Sequence, residues 1–147
     1  MRSTFARHAV LDWAGDVTHG AGSVSAGTGA FTTPASFPRL TGEQPGITTP
    51  EELLAASHAV CYGIGLRSVI ASRGGSARRI EVTATITAQK EREGIRIVSS
   101  HLTGSVEGLE GLTGSDLEDV AKAAEQGCTI SNAIRPSVAI THDIRAV

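Results

Sequence analysis

The sequence predicts an α+β fold, and three observations carry that prediction. A turn-rich N-terminal stretch holds short β-type segments, a long helix apolar on every side follows a strong start signal, and the remainder alternates strand and helix periods. With 147 residues, 40% of them apolar, the chain has the size and core content of a single domain over residues 1–147.

Residues 1–47 form the β-rich N-terminal region and loop. Gly, Ser and Thr are dense there, short strand-like pieces fall at residues 9–13 and 23–26, and residues 37–46 carry two prolines and two glycines, which gives that loop a fixed shape. The central helix spans residues 48–74. Thr49 is placed to accept an N-terminal amide hydrogen, Pro50 suits the first helical position, and Glu52 stands three residues after the cap. Residues 53–66 are apolar or small apart from Ser57 and His58 and bear no formal charge, so this helix belongs in the middle of something. Arg73 and Gly74 mark its end.

A β-hairpin occupies residues 78–105. Ile80, Val82, Ala84 and Ile86 alternate with Glu81, Thr83, Thr85 and Thr87, and the charged turn around Arg92 leads into a returning strand. The second helix region, residues 115–134, opens with a capping box from Ser115 to Glu118 and aligns Leu117, Val120, Ala121 and Ala124 on one face. Gly127 is expected to break it, with Cys128 just beyond on the same stripe. A last strand over residues 137–146 closes the pattern.

Thirteen basic and fifteen acidic residues leave a formal net charge of −2, without the basic run that nucleic-acid binding needs. Charges interrupt the apolar residues at the N-terminus, and residues 53–66 are too short a run to cross a bilayer, so a cytoplasmic protein with no membrane partner is expected.

Two cysteines are too few for a disulfide scaffold, leaving either buried structural thiols or a reactive pair. Cys61 lies deep in the apolar helix, where burial alone raises a thiol pKa, so a reactive Cys61 requires a cation from elsewhere. The loop carrying Arg39 is the best supplier, with Glu43, Glu51 and Glu52 as carboxylates able to hold the guanidinium; an unengaged surface arginine is the alternative. His58, one turn before Cys61, is either a base or metal ligand or a packed histidine. His8, His19, His101 and His142 match no zinc spacing, and no metal is expected. Gly20-x-Gly22 and Gly63-x-Gly65 lack a strand-turn-helix setting and read as turn and packing glycines.

Four segments together resemble a known family: residues 39–43 beginning with Arg39, residues 48–56 with Thr49, Pro50 and Glu51, residues 58–62 with His58 and Cys61, and residues 126–131 with Gln126, Gly127 and Cys128. The chain resembles the OsmC/Ohr hydroperoxide reductases, and within them the osmotically inducible OsmC branch, because its arginine follows a long N-terminal loop. It departs from that pattern at Thr49, where Asn is frequent, and at Thr129, where Pro often follows the second cysteine.

The resemblance implies an OsmC-like fold, with antiparallel sheets around two main helices in an intertwined homodimer whose long central helices pack together. It implies that Cys61 is the peroxidatic thiolate, that Cys128 closes a disulfide onto it, and that Arg39 and Glu51 give polar support to the sulfur. The implied activity is reduction of organic hydroperoxides without a cofactor, the reductant being an external dithiol such as a dihydrolipoyl group or a lipoylated protein. A redox-sensing or small hydrophobic ligand-binding dimer is the competing reading, and a structural dimer with inert thiols a third. Glu51 and Cys61 stand ten residues apart in one expected helix, about 15 Å along its axis. If both serve one site, two helices must cross antiparallel so that Glu51 acts on the partner's side of a two-fold axis.

Overall fold

The computed structural model describes residues 2–37 and 44–147, and the chain divides into two compact units, Met1–Leu53 and Leu54–Val147. Arg39 and Glu43 lie outside the described residues.

In the first unit, strands β1 (Ala9–Ala14), β2 (Ala21–Ala26) and β3 (Thr32–Ala35) form an antiparallel sheet in that order. Trp13 fixes the first turn: its indole nitrogen donates to the carbonyls of Gly15 at 3.1 Å and Asp16 at 3.2 Å. Gly22, paired with Trp13 across the ladder, leaves room for the ring, since a Cβ there would stand 2.4 Å from it. Thr48 then bridges in parallel to Ala35. Helix α1 (Pro50–Ser72) begins at the residue expected, with the Glu52 amide donating to Thr49 Oγ1 at 3.3 Å. The reciprocal half of the cap differs, because the Glu52 carboxylate accepts from the Thr48 hydroxyl at 2.8 Å.

In the second unit, α1 buries one stripe at four-residue spacing: His58, Tyr62, Leu66 and Ile70. Its end follows the glycine signal, with Gly74 at φ +81 and the Gly75 amide donating to the Ile70 carbonyl at 3.0 Å. Strands β4 (Arg79–Glu91) and β5 (Gly94–Glu107) form the expected hairpin, with a bulge at Thr87/Ala88. Strand β6 (Ala139–Ala146) pairs with β5 in parallel, so this sheet is mixed where antiparallel pairing was expected. The reason is topological: the chain between β5 and β6 is a helical crossover, which returns a strand in the same direction.

That crossover contains a 3-10 turn (Gly114–Asp116), α2 (Leu117–Gly127) and α3 (Thr129–Ile134). The expected capping box is displaced by two residues. Thr113 and Asp116 form it, the Thr113 amide donating to Asp116 Oδ2 at 2.7 Å, while Ser115 lies inside the 3-10 turn. Leu117, Val120, Ala121 and Ala124 of α2 are buried as their spacing predicts and join Tyr62, Leu66, Ile70, Leu102, Val106 and Ile144 in one core.

Two expectations about α1 change. Counted over residues 53–66 the apolar run was too short to cross a membrane, but the helix has 23 residues and is long and apolar enough by length and composition. Its buried stripe packs into the chain's own core, as in a core helix. Burial on every face is not met within one chain either: Val60 is 61% and Ile64 68% exposed, beside an open groove floored by Ile80 and Val82 of β4.

Leu66 is fully buried in this core, whereas Ser68 is exposed on the same helix. Leu66→Ala is expected to lower stability by about 2–5 kcal/mol and Ser68→Ala by less than about 0.5 kcal/mol. Urea unfolding of both variants beside the wild type checks the difference.

Candidate active site

Cys61 is part-buried on α1 and Cys128 is buried between α2 and α3; both are free thiols. Cys128 was expected beyond a break at Gly127, but Gly127 is the last residue of α2 and the break is Cys128 itself. Its backbone is extended, at φ −76 and ψ 119, so it ends one helix and caps the next. As the N-cap of α3 its sulfur accepts from the Ser131 amide at 3.5 Å, and its carbonyl accepts from Asn132 at 2.9 Å. The sulfur thus takes the place of the usual capping oxygen.

The amides of Thr129 and Ile130 precede that first helical bond and have no partner inside α3. Both lie close enough to Cys61 to act on its charge, together with the Thr129 hydroxyl and the Cys128 thiol. Burial pushes the Cys61 thiol up, but the Ile130 amide, the Cys128 thiol and the two Thr129 donors together hold it below its ordinary value. These neighbours lower the Cys61 pKa from within the chain's own second unit, while Arg39, the cation expected to do so, lies outside the described residues. The signal missed was the sequence after Cys128, where a second short helix turns its free amides onto α1.

His58 is a packed histidine. It is fully buried, with Nδ1 2.6 Å from Ser100 Oγ of β5 and Nε2 2.7 Å from Ser131 Oγ of α3. Burial lowers its pKa, opposed by the negative charge of Glu125. Tyr62, next to Cys61, points into the core and donates to the Ala121 carbonyl at 3.1 Å. Burial first, then the charges of Glu125 and Cys128, push its phenol well above the ordinary range.

Glu51 stands in the first turn of α1, and its Oε2 is buried without a hydrogen-bond partner among the described residues. Arg39, expected beside it, lies outside the described residues. Among the described residues no three His, Cys, Asp or Glu side chains converge as a metal site. The structure therefore unites Cys61, Cys128 and Thr129, adds His58, Ser100 and Ser131 behind them, and leaves Glu51 with an unanswered carboxylate oxygen.

Comparison with known proteins agrees with the architecture. A family model described as OsmC-like protein matches residues 42–143. The chain is 28% identical over 136 residues to peroxiredoxin OsmC of Escherichia coli (strain K12), covering 91% of this chain and 93% of that one. An organic hydroperoxide resistance protein from Elizabethkingia anophelis matches it at a TM-score of 0.79 and 23% identity, over 100% of both chains. An organic hydroperoxide resistance protein OsmC from Legionella pneumophila gives 0.77 at 23% identity, covering 98% of this chain and 99% of its own. The corresponding values for OhrB of Bacillus subtilis are 0.72, 23%, 94% and 98%. The expected OsmC-like fold is thus the fold observed.

His58 gives a pH dependence whose sign is fixed by its lowered pKa. Above its ordinary value of 6.5 the ring is neutral folded or unfolded and contributes nothing. As pH falls through that value the unfolded chain takes the proton first, and stability is lost until the lower folded pKa is passed. The melting temperature of wild type is therefore expected to fall more steeply than that of His58→Gln as pH drops below 6.5. Parallel melting curves over that interval would contradict this assignment.

Proposed function

The chain belongs to the OsmC-like family, and from that premise we propose that it is a thiol-dependent peroxidase reducing organic hydroperoxides to alcohols. The observation that carries the reading is the convergence of two free thiols, one of them with its pKa lowered by the amide, hydroxyl and thiol groups beside it. A thiolate is the form that attacks a peroxide oxygen. The names of similar proteins, peroxiredoxin OsmC and organic hydroperoxide resistance protein, support the same class of chemistry.

In the proposed cycle the Cys61 thiolate attacks the O–O bond, the alcohol leaves after taking a proton, and Cys61 becomes a sulfenic acid. Cys128 then attacks that sulfur, releasing water and closing the Cys61–Cys128 disulfide before further oxidation. An external dithiol, such as a dihydrolipoyl group on a partner protein, reopens the disulfide by exchange. Arg39 stabilises the thiolate and donates to the peroxide oxygen as charge develops, and Glu51 orients the guanidinium. The buried, unanswered Oε2 of Glu51 supports that pairing. Apolar surface around Cys61 favours an alkyl hydroperoxide over hydrogen peroxide. A reducing cytoplasm suits the two free thiols.

The protein acts as a homodimer in this reading. Its support is the exposed side of α1, where Val60 and Ile64 present more apolar surface than a lone chain covers. In such a dimer Glu51 serves the Cys61 of the partner chain.

Steady-state consumption of cumene hydroperoxide with a dithiol reductant tests the cycle. Cys61→Ser is expected to lose all turnover, while Cys128→Ser consumes one equivalent and stalls. Undiminished turnover in Cys128→Ser would remove that thiol from the cycle. Arg39→Ala is expected to raise the Cys61 pKa and slow its reaction with peroxide, with Arg67→Ala as control, since Arg67 donates to the Ala77 carbonyl at 2.7 Å. Mixed dimers of Cys61→Ser and Glu51→Ala subunits should regain about half of the wild-type activity, because one site per dimer is then intact. No recovery in verified heterodimers would limit Glu51 to stabilising the start of α1 through the helix dipole.

A further inference from the structure

The cycle above makes no use of His58, although both of its ring nitrogens lie within hydrogen-bond distance of serine hydroxyls. Its ring is fully buried, and so are both serines that bind it. A neutral imidazole donates from one nitrogen and accepts at the other, and a serine hydroxyl can serve either role, so the whole set is satisfied without charge. The contacts run in a line: Ser100 of β5, His58 of α1, Ser131 of α3, and from the Ser131 amide to Cys128 Sγ.

The position of this line is informative. Helix α3 has six residues, too few to keep its place by its own hydrogen bonding. At its far side Arg135 and Asn132 fasten it to α2 through Glu125 and the Gln126 carbonyl. Those bonds set α3 against its neighbour in sequence; they do not set it against α1. The bond from Ser131 to His58 does, one turn before Cys61 on the helix that carries it, beside the approach of Thr129 and Ile130 to Cys61 itself.

We propose that His58 is a positioning residue for disulfide closure, fixing Ser131 so that the Cys128 thiol stays within reach of Cys61. The proposal rests on the reading of Cys61 and Cys128 as a redox pair. In the step concerned, the Cys128 sulfur donates an electron pair to the sulfenic sulfur of Cys61 and the S–S bond forms. The S–O bond breaks, and the departing hydroxide leaves as water with the proton given up by Cys128. His58 does not accept that proton, because both ring nitrogens are held by serines. It acts through the placement of Ser131.

The test separates the two halves of the cycle in His58→Leu, which removes both ring bonds, and His58→Gln, whose amide can both donate and accept. Reduced protein is given one equivalent of cumene hydroperoxide; peroxide loss reports the first step, and disulfide yield against dimedone-trapped sulfenic acid reports the second. In His58→Leu, disulfide closure is expected to slow about tenfold relative to peroxide loss, with trapped sulfenic acid accumulating, and His58→Gln to recover most of the wild-type partition. Closure within about twofold of wild type in folded His58→Leu would overturn the proposal, since a displaced thiol must lose more than that. Ser131→Ala keeps the amide bond to Cys128 and covers the case in which His58→Leu does not fold. It should shift the partition the same way, and an unchanged partition there also overturns the proposal.

A readout without peroxide keeps the proposal apart from the redox reading. Cys128 is 2% exposed, so its alkylation in reduced protein is slow unless α3 loosens. His58→Leu and Ser131→Ala are expected to speed that alkylation about tenfold and His58→Gln to leave it near wild type. Equal rates in all four proteins reject the positioning role. Peroxide consumption that survives in Cys61→Ser rejects the redox pair instead.

Discussion

The extended backbone at Cys128 is the constraint on which the rest of the site depends. Had α2 continued through residue 128, the amides of Thr129 and Ile130 would have been consumed by carbonyls one turn back, as every interior helical amide is. Because Cys128 steps out of the helix, α3 begins afresh with unspent donors, and those donors lie against Cys61. The same step places the Cys128 sulfur in the capping position, where the Ser131 amide reaches it. The extended residue therefore brings the donors near one thiol and sets the sulfur of the other.

Much of this was legible in the sequence and some was not, for physical reasons that differ. The start of α1 was readable because Thr49, Pro50 and Glu52 act through local bonds. The β4–β5 hairpin and the stripe on α2 were readable because burial has a period of two in one and 3.6 in the other. The parallel pairing of β6 was not, because alternation along a strand reports which face is buried and says nothing of the direction of its neighbour. Nor could His58 be paired in advance with its serines: Ser100 and Ser131 are 42 and 73 residues away, and no local pattern links them. Gly127 drew the helix end one residue early, since glycine marks many C-termini; here it completes the last turn and the bend falls on Cys128.

Helix α1 combines two environments that composition alone merges. Its apolar content is uniform, yet only the stripe through His58, Tyr62, Leu66 and Ile70 is fully buried in the chain's own core, with Cys61 and Val69 partly buried against it. Val60 and Ile64 remain outside it. A helix serving one core needs an apolar face and a polar face. Keeping both faces apolar lowers solubility unless a second surface covers the exposed one, which is why a second copy of this chain fits the reading of a dimer.

The two thiols are unequal, and the inequality supports an order of events in the proposed chemistry. Cys61 is part-buried, and the amides, hydroxyl and thiol beside it lower its pKa, so its charged form is favoured relative to an ordinary buried thiol. Cys128 is 2% exposed and takes a single amide at 3.5 Å, an arrangement that orients a sulfur more than it activates one. A peroxide arriving from solvent therefore meets Cys61 first. In the proposed cycle its oxidation would remove the thiolate charge that the Thr129 and Ile130 amides favour. Those donors lose part of their hold on the sulfur when it becomes a sulfenic acid, and they are the groups adjoining Cys128 in sequence. In the proposed cycle, oxidation of Cys61 would loosen that contact at the step in which Cys128 closes onto the neighbouring sulfur. Against that loosening the neutral His58 bonds are indifferent, since neither serine carries a charge to lose, and they confine the movement to the first residues of α3.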